Sequence, residues 1–222
     1  MSSNIIPVET TVSNLECGEA FSHLTDREKN YAYFMSKASW AGAKMVFNQL
    51  CYEAPPLFMM FQAYFQEKDF HRVKEAAMAA GVSAEDFQRF VAYVAGFYSN
   101  FCNYQSFGHN KFIPEIDSKT FKAILDSNPL MAEEHALYKS VIEELWPQVE
   151  KEIFSIDSPY SVINFPEEGG VTGYFGRNFK KDDLKNVTDF ITQRPGLDVL
   201  NTRAFKKADG TYVITVGSVD TN

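Results

Sequence analysis

Between residues 87 and 101 the chain places Phe87, Phe90, Val91, Val94, Phe97, Tyr98 and Phe101 at intervals of three and four. Those intervals match the 3.6-residue turn of an α-helix, so the seven side chains share one face. A face this broad and apolar must be covered by other elements, which commits the chain to a layered, helix-rich core. The stripe reads as core and not as a cofactor box, because no polar or metal-binding groups converge on the same face. Ser83 supplies a cap for the start of this helix. With 45% hydrophobic and 15% aromatic residues among 222, there is material for one core or for two unequal domains.

Signals on either side extend the helical reading. Thr25 followed by Glu28 has the form of a capping box, so a helix begins there. Its body sets Tyr33, Met35, Trp40 and Phe47 among small residues, which predicts close packing against neighbouring helices. Pro55 and Pro56 open the next helix, Leu57 to Gln66. A shorter helix runs from Phe70 to a stop near Gly81. Residues 100–114 form a polar and aromatic loop without a clear period. Helical pattern restarts at Asp117 or Ser118, breaks at Asn128-Pro129, and resumes over residues 133–153 with an interruption expected at Pro147.

Beyond residue 155 the composition shifts toward Gly, Pro, Ser and β-branched residues. A short strand is expected at Val171 to Phe175, a helix at Lys181 to Gln193, and two strands, Leu200 to Phe205 and Thr211 to Val216, around an Asp209-Gly210 turn. The fold class is therefore α+β: a mainly helical domain over residues 1–155, then a mixed segment over 156–222 that holds the strands. The last strand would leave an open sheet edge, so more sheet is expected from elsewhere.

The net charge of -8 repels phosphate backbones and anionic lipid, and no Lys/Arg cluster offsets it, so nucleic acid and membrane are poor partners. No stretch approaches eighteen apolar residues, and residues 1–10 lack the pattern of a secretory leader, so a cytoplasmic location is expected. Cys17, Cys51 and Cys102, odd in number and widely spaced, fit free thiols in a reducing compartment. The chain contains no H-E-x-x-H zinc helix or its one-residue extension, no phosphate loop, no dinucleotide fingerprint and no serine elbow. His23, His71, His109 and His135 stand far apart. Cys102 near His109 is the one candidate nucleophile pair, but Cys102 ends an apolar helix and no third group orients the imidazole. No catalytic or metal-ligating residue is assigned.

The run Ala95-Gly-Phe-Tyr-Ser-Asn-Phe-Cys-Asn-Tyr-Gln-Ser-Phe-Gly108 resembles the dipeptidyl peptidase III family, in which the stretch reads approximately A-G-x-Y-S-N-x-G-N-Y-x-S-F-G. Further matches agree in order and spacing: Glu28 to Tyr33, Ala38 to Trp40, Glu53 to Pro55, Lys111 to Pro114, Tyr174-Phe175, and Asn201 to Lys206. The resemblance implies a two-lobed fold with a helical upper lobe that carries zinc and a lower lobe of helices with a five-stranded β-barrel. This chain resembles the beginning of that lower lobe, with the first strands of the barrel.

The family's zinc helices lie far downstream of anything in these residues, so zinc is implied for the full-length enzyme and not for this chain, which is expected to be inactive alone. What the resemblance carries over is Phe107, whose counterpart lines the subsite for the substrate's amino-terminal end. Tyr104, Ser106 and Gly108 form the loop that presents it. Cys102 stands where the family has glycine, and His109 where an acidic residue is common. The implied function is the substrate-binding lobe of a zinc exopeptidase that releases dipeptides from the amino terminus of short peptides, with those peptides and the zinc-bearing lobe as partners. The alternative is a stand-alone interaction module without catalysis.

Overall fold

The computed structural model describes residues 4–11, 13–133 and 135–217. After a single turn, α1 (Gly18–Ser22), comes α2 (Asp26–Leu50), which starts at the expected capping box. Thr25 Oγ1 accepts the Glu28 amide, and Glu28 Oε2 accepts the Thr25 amide at 2.8 Å. The two prolines occupy the first turn of α3 (Ala54–Tyr64), where a missing amide costs nothing. Asp69 caps α4 (Phe70–Ala79), Gly81 follows with φ +88°, and Ser83 caps α5 (Ala84–Asn100) by accepting the Asp86 amide at 3.0 Å.

Asp117 caps α6 (Ser118–Asp126), and Asn128 caps the one-turn α7 (Pro129–Ala132). The next helix, α8 (Ala136–Ile153), starts behind His135 and runs through Pro147 without breaking. Pro147 lies on the exposed side of α8 and leaves the buried face of Tyr138, Ile142, Trp146 and Val149 continuous.

The stripe of α5 is core, as its period predicts. Phe87, Phe90, Val94 and Phe97 are buried, while Val91, Tyr98 and Phe101 lie partly buried at its margin. They pack on α3, where Phe61 sets its ring edge-on to Phe90, Tyr93 and Phe97. From the other side α8 packs along α3, and Trp146 stacks on Phe121 of α6 at 5.4 Å. Edge-to-face and offset rings pack densely and add directional attraction to the burial of area.

Close packing of α2 is confined to its last turns. Ala43 and Phe47 are buried, but Tyr33, Met35 and Trp40 are exposed, Trp40 at 71%. The capping box placed the helix correctly, but from Asp26 to Gly42 none of its residues is buried, so the close packing expected of Tyr33, Met35 and Trp40 does not form among the described residues.

Past residue 155 a second cluster of buried side chains forms around Phe179, Val187, Ile191 and Ala204. It brings together α9 (Asp183–Thr192) and an antiparallel hairpin, β1 (Thr202–Lys206) with β2 (Tyr212–Val216), in register Thr202 with Val216 and Lys206 with Tyr212. Five residues join the strands, not two, and Gly210 takes the left-handed φ of +84° within them. The stretch expected as a strand at residues 171–175 forms only isolated bridges, Ile163 with Val171 and Phe175 with Ala204. Gly173 explains why pairing stops there. A Cβ on Gly173 would lie 2.2 Å from the Asn48 carbonyl oxygen, because this backbone crosses the end of α2 and donates to the carbonyls of Gln49 and Leu50. Gln49 completes the junction by donating to the carbonyls of Leu200 and Thr202.

Candidate functional site

The aromatic loop begins where α5 ends. Phe101 takes a left-handed conformation, φ +61°, and turns the chain out of the helix, while its ring packs on Phe47 at 5.5 Å. Cys102 needs no positive φ, so a side chain is tolerated where the resembling family has glycine. Its thiol is buried and donates to the Tyr104 carbonyl at 3.4 Å rather than meeting His109, which sits exposed at the loop tip. Burial also pushes the neighbouring Cys51 thiol well above its usual range. The structure thus brings Cys102 into the core and not into a nucleophile pair.

From Tyr104 to Lys111 the loop is a small antiparallel turn. Tyr104 bridges Lys111, the Gln105 amide donates to the Asn110 carbonyl at 2.9 Å, and the His109 amide donates to Gln105 at 3.1 Å. Gly108 at φ +95° and His109 at φ +61° make the reversal. The Ser106 amide donates to Asn100 Oδ1 at 2.9 Å, and Asn100 in turn donates to the Gly96 carbonyl, so the outgoing limb is tied to the last turn of α5. The returning limb is tied by the Lys111 amide to Ser161 and by the Ile163 amide to His109. Phe107 stands at the tip with its side chain in solvent, 94% exposed.

Beneath this turn lies a buried polar cluster. Lys111 Nζ lies 2.8 Å from Glu53 Oε1, and both side chains are sealed from solvent. The ammonium also donates to the Glu152 carbonyl and lies 5.4 Å from the ring centres of Tyr104 and Tyr160. Tyr104 is fully buried, and its hydroxyl donates to the Tyr160 carbonyl at 3.0 Å. Burial first, and the Glu53 charge next, push the Tyr104 phenol far above its usual range, so it remains a neutral donor. Of the four residues assigned to the loop from sequence, Ser106, Phe107 and Gly108 lie at the exposed tip, and Tyr104 anchors its base.

Sequence reasoning did not single out Lys111 and Glu53 as partners. Opposite charges 58 positions apart carry no local signal, although both lie in matched runs. No group of three or more His, Cys, Asp or Glu side chains is placed to hold a metal ion among the described residues, so the donors present do not fit a zinc site.

Comparison with known proteins agrees in direction. The family model for peptidase family M49 matches residues 145–222. The chain is 36% identical over 205 residues to dipeptidyl peptidase 3 of Nematostella vectensis, covering 91% of this chain and 27% of that protein. It is 34% identical over 206 residues to dipeptidyl peptidase 3 of Homo sapiens, covering 93% and 27%. It is 28% identical over 220 residues to dipeptidyl peptidase 3 of Dictyostelium discoideum, covering 99% and 30%. The loop from Tyr104 to Lys111, near the middle of the chain, falls inside alignments this extensive. The chain spans less than a third of the length of these curated relatives.

Proposed function

Because the chain belongs to the dipeptidyl peptidase 3 family, we propose that it is the peptide-holding part of a zinc dipeptidyl peptidase, in which Phe107 meets the amino-terminal residues of a short peptide. The observation that carries this reading is a phenyl ring in solvent at the tip of a turn whose base is locked by a buried ion pair. A large exposed ring on a flexible loop is a liability for solubility. On a turn held from both limbs it offers apolar area to a ligand at low entropic cost. The amides of Gln105, Ser106, His109 and Lys111 are bonded within the protein, which holds the turn, and the Phe107 ring offers apolar contact.

In this reading the metal is supplied by polypeptide outside these residues, since the donors here do not form a site for it. The chain's own part is to bind, orient and help exclude water from the peptide's first residues. Full-length activity would belong to the longer enzyme, in the cytoplasm, and this chain alone would not hydrolyse peptides. Three free cysteines, two of them buried, support a reducing compartment.

Calorimetric titration of short peptides tests the reading. Wild type is expected to bind weakly and Phe107→Ala about tenfold more weakly, since losing a buried phenyl contact is worth roughly 1.5 kcal/mol or more. Equal binding by the two proteins, or none by either, removes the assignment.

A further inference from the structure

Helix α2 has two apolar faces. Trp40, Ala43 and Phe47, at intervals of three and four, point toward the body: Ala43 and Phe47 are buried, and Trp40 lies 6.3 Å from the Phe101 ring. At about 100° per residue, Tyr31, Phe34, Met35, Met45 and Val46 fall together on the opposite side. All five are exposed, Tyr31 at 68% and Phe34 at 64%. From Asp26 to Gly42 no residue of the helix is buried, a length of about 25 Å at 1.5 Å per residue. A globular surface rarely carries so many large apolar side chains on one unpartnered helix face unless another protein surface covers it.

The chain's last described residues lie at one end of that face. Gly217 lies against α2 at the lower end of that face: a Cβ placed on it would be 2.9 Å from Met45 Sδ, and its amide donates to the Asn201 carbonyl at 2.7 Å. Lys44, Met45, Arg203, Thr215 and Val216 line a groove there, between α2 and the hairpin. Among the described residues β2 pairs with β1 alone, so its other edge is open. The family match runs through residue 222, and the curated relatives carry more than twice as much polypeptide again as the part that this chain matches. Gly217 itself lies beside the exposed face.

We propose that the outward face of α2, centred on Tyr31, Phe34 and Met35, is the seat of the additional polypeptide that longer family members carry, and that this polypeptide presents an apolar, mainly hydrophobic surface to it. A second copy of this chain is the competing occupant. It is disfavoured because it would leave the groove at Met45 and the open edge of β2 without a partner. The inference rests on family membership but not on the role given to Phe107.

Thiol labelling decides it. In a Cys17→Ser background, Phe34→Cys is placed in the isolated chain and in a chimaera in which this chain replaces the matching stretch of the Nematostella dipeptidyl peptidase 3. Labelling by a maleimide is then read on the peptide that carries residue 34. The isolated chain is expected to label at the rate of an unprotected thiol at every protein concentration. The chimaera is expected to label at least a hundredfold more slowly, with full reactivity restored by denaturant. Equal rates in the two proteins, or a chimaera without a cooperative melt, overturn the proposal. Protection that grows with concentration in the isolated chain also overturns it and assigns the face to a second copy. None of these outcomes depends on peptide binding, so a failure here is distinct from a failure of the Phe107 assignment.

Discussion

The Lys111 ammonium is sealed beneath the loop with one carboxylate, one carbonyl and two tyrosine rings around it. A buried ion pair contributes little net stability compared with apolar residues of the same shape, but removing one partner strands a charge out of water. Glu53→Gln is therefore expected to destabilise the protein by about 3–5 kcal/mol, lowering the melting temperature on the order of 10 °C. The double variant Glu53→Leu with Lys111→Met should recover much of that loss. A thermal melt of the two proteins checks it, and a double variant no better than the single would show that the charges themselves are indispensable. Phe107 is the reverse case: its ring touches solvent, so Phe107→Ala should leave the melting temperature unchanged while weakening peptide binding. The aromatic loop string singled out Phe107 from sequence through resemblance, and the structure sets its ring in solvent at the loop tip. The Lys111–Glu53 pair was not legible, because only the return of the loop over the start of α3 brings the two together.

Helix ends are the elements most faithful to local chemistry. Thr25, Asp69, Ser83 and Asp117 all cap as their side chains require, each accepting amides of the first turn. Pro147 fails as a breaker because one lost hydrogen bond on an exposed flank costs less than splitting the buried face of α8.

The hairpin is held to α9 by Asp183, whose carboxylate accepts from Lys206 Nζ and the Tyr212 hydroxyl, both at 2.7 Å, and from the Lys180 amide at 2.8 Å. The Lys206 hydrogen bond first, then that of Tyr212, bring its pKa down to about 2. A carboxylate with a lowered folded pKa contributes stability that is fully present above its unfolded pKa of about 3.9 and is lost as pH falls through the folded value. Protection against amide exchange, taken relative to the intrinsic rate at each pH, should accordingly fall in β1, β2 and α9 between about pH 4 and pH 2, ahead of the α3–α5–α8 core. Asp183→Asn should show the faster exchange already at neutral pH and little further acid dependence. Unchanged exchange in the variant would remove Asp183 from that role.

Across the whole molecule, two clusters of buried side chains meet where residues 173 and 200–202 cross the end of α2. The contrast along α2 gives a direct test of where the body ends. Phe47→Ala should cost about 3–5 kcal/mol in chemical denaturation, as expected for a buried phenyl, whereas Phe34→Glu should leave the isolated chain's stability unchanged. A large loss at Phe34 would mean that the overhanging half of α2 is covered within this chain.

Capping residues, prolines, turn glycines and the three-and-four spacing of apolar side chains act between residues close in sequence, and these were enough to establish a helix-rich chain ending in a hairpin, with the α5 stripe at its core. Which flank of α2 is buried, why residues 171–175 stop at single bridges, and how Lys111 finds Glu53 depend on contacts between segments tens to more than a hundred positions apart. Those contacts exist only after the chain has folded back on itself, because burial is a property of what lies opposite a side chain and not of the side chain's own sequence neighbours.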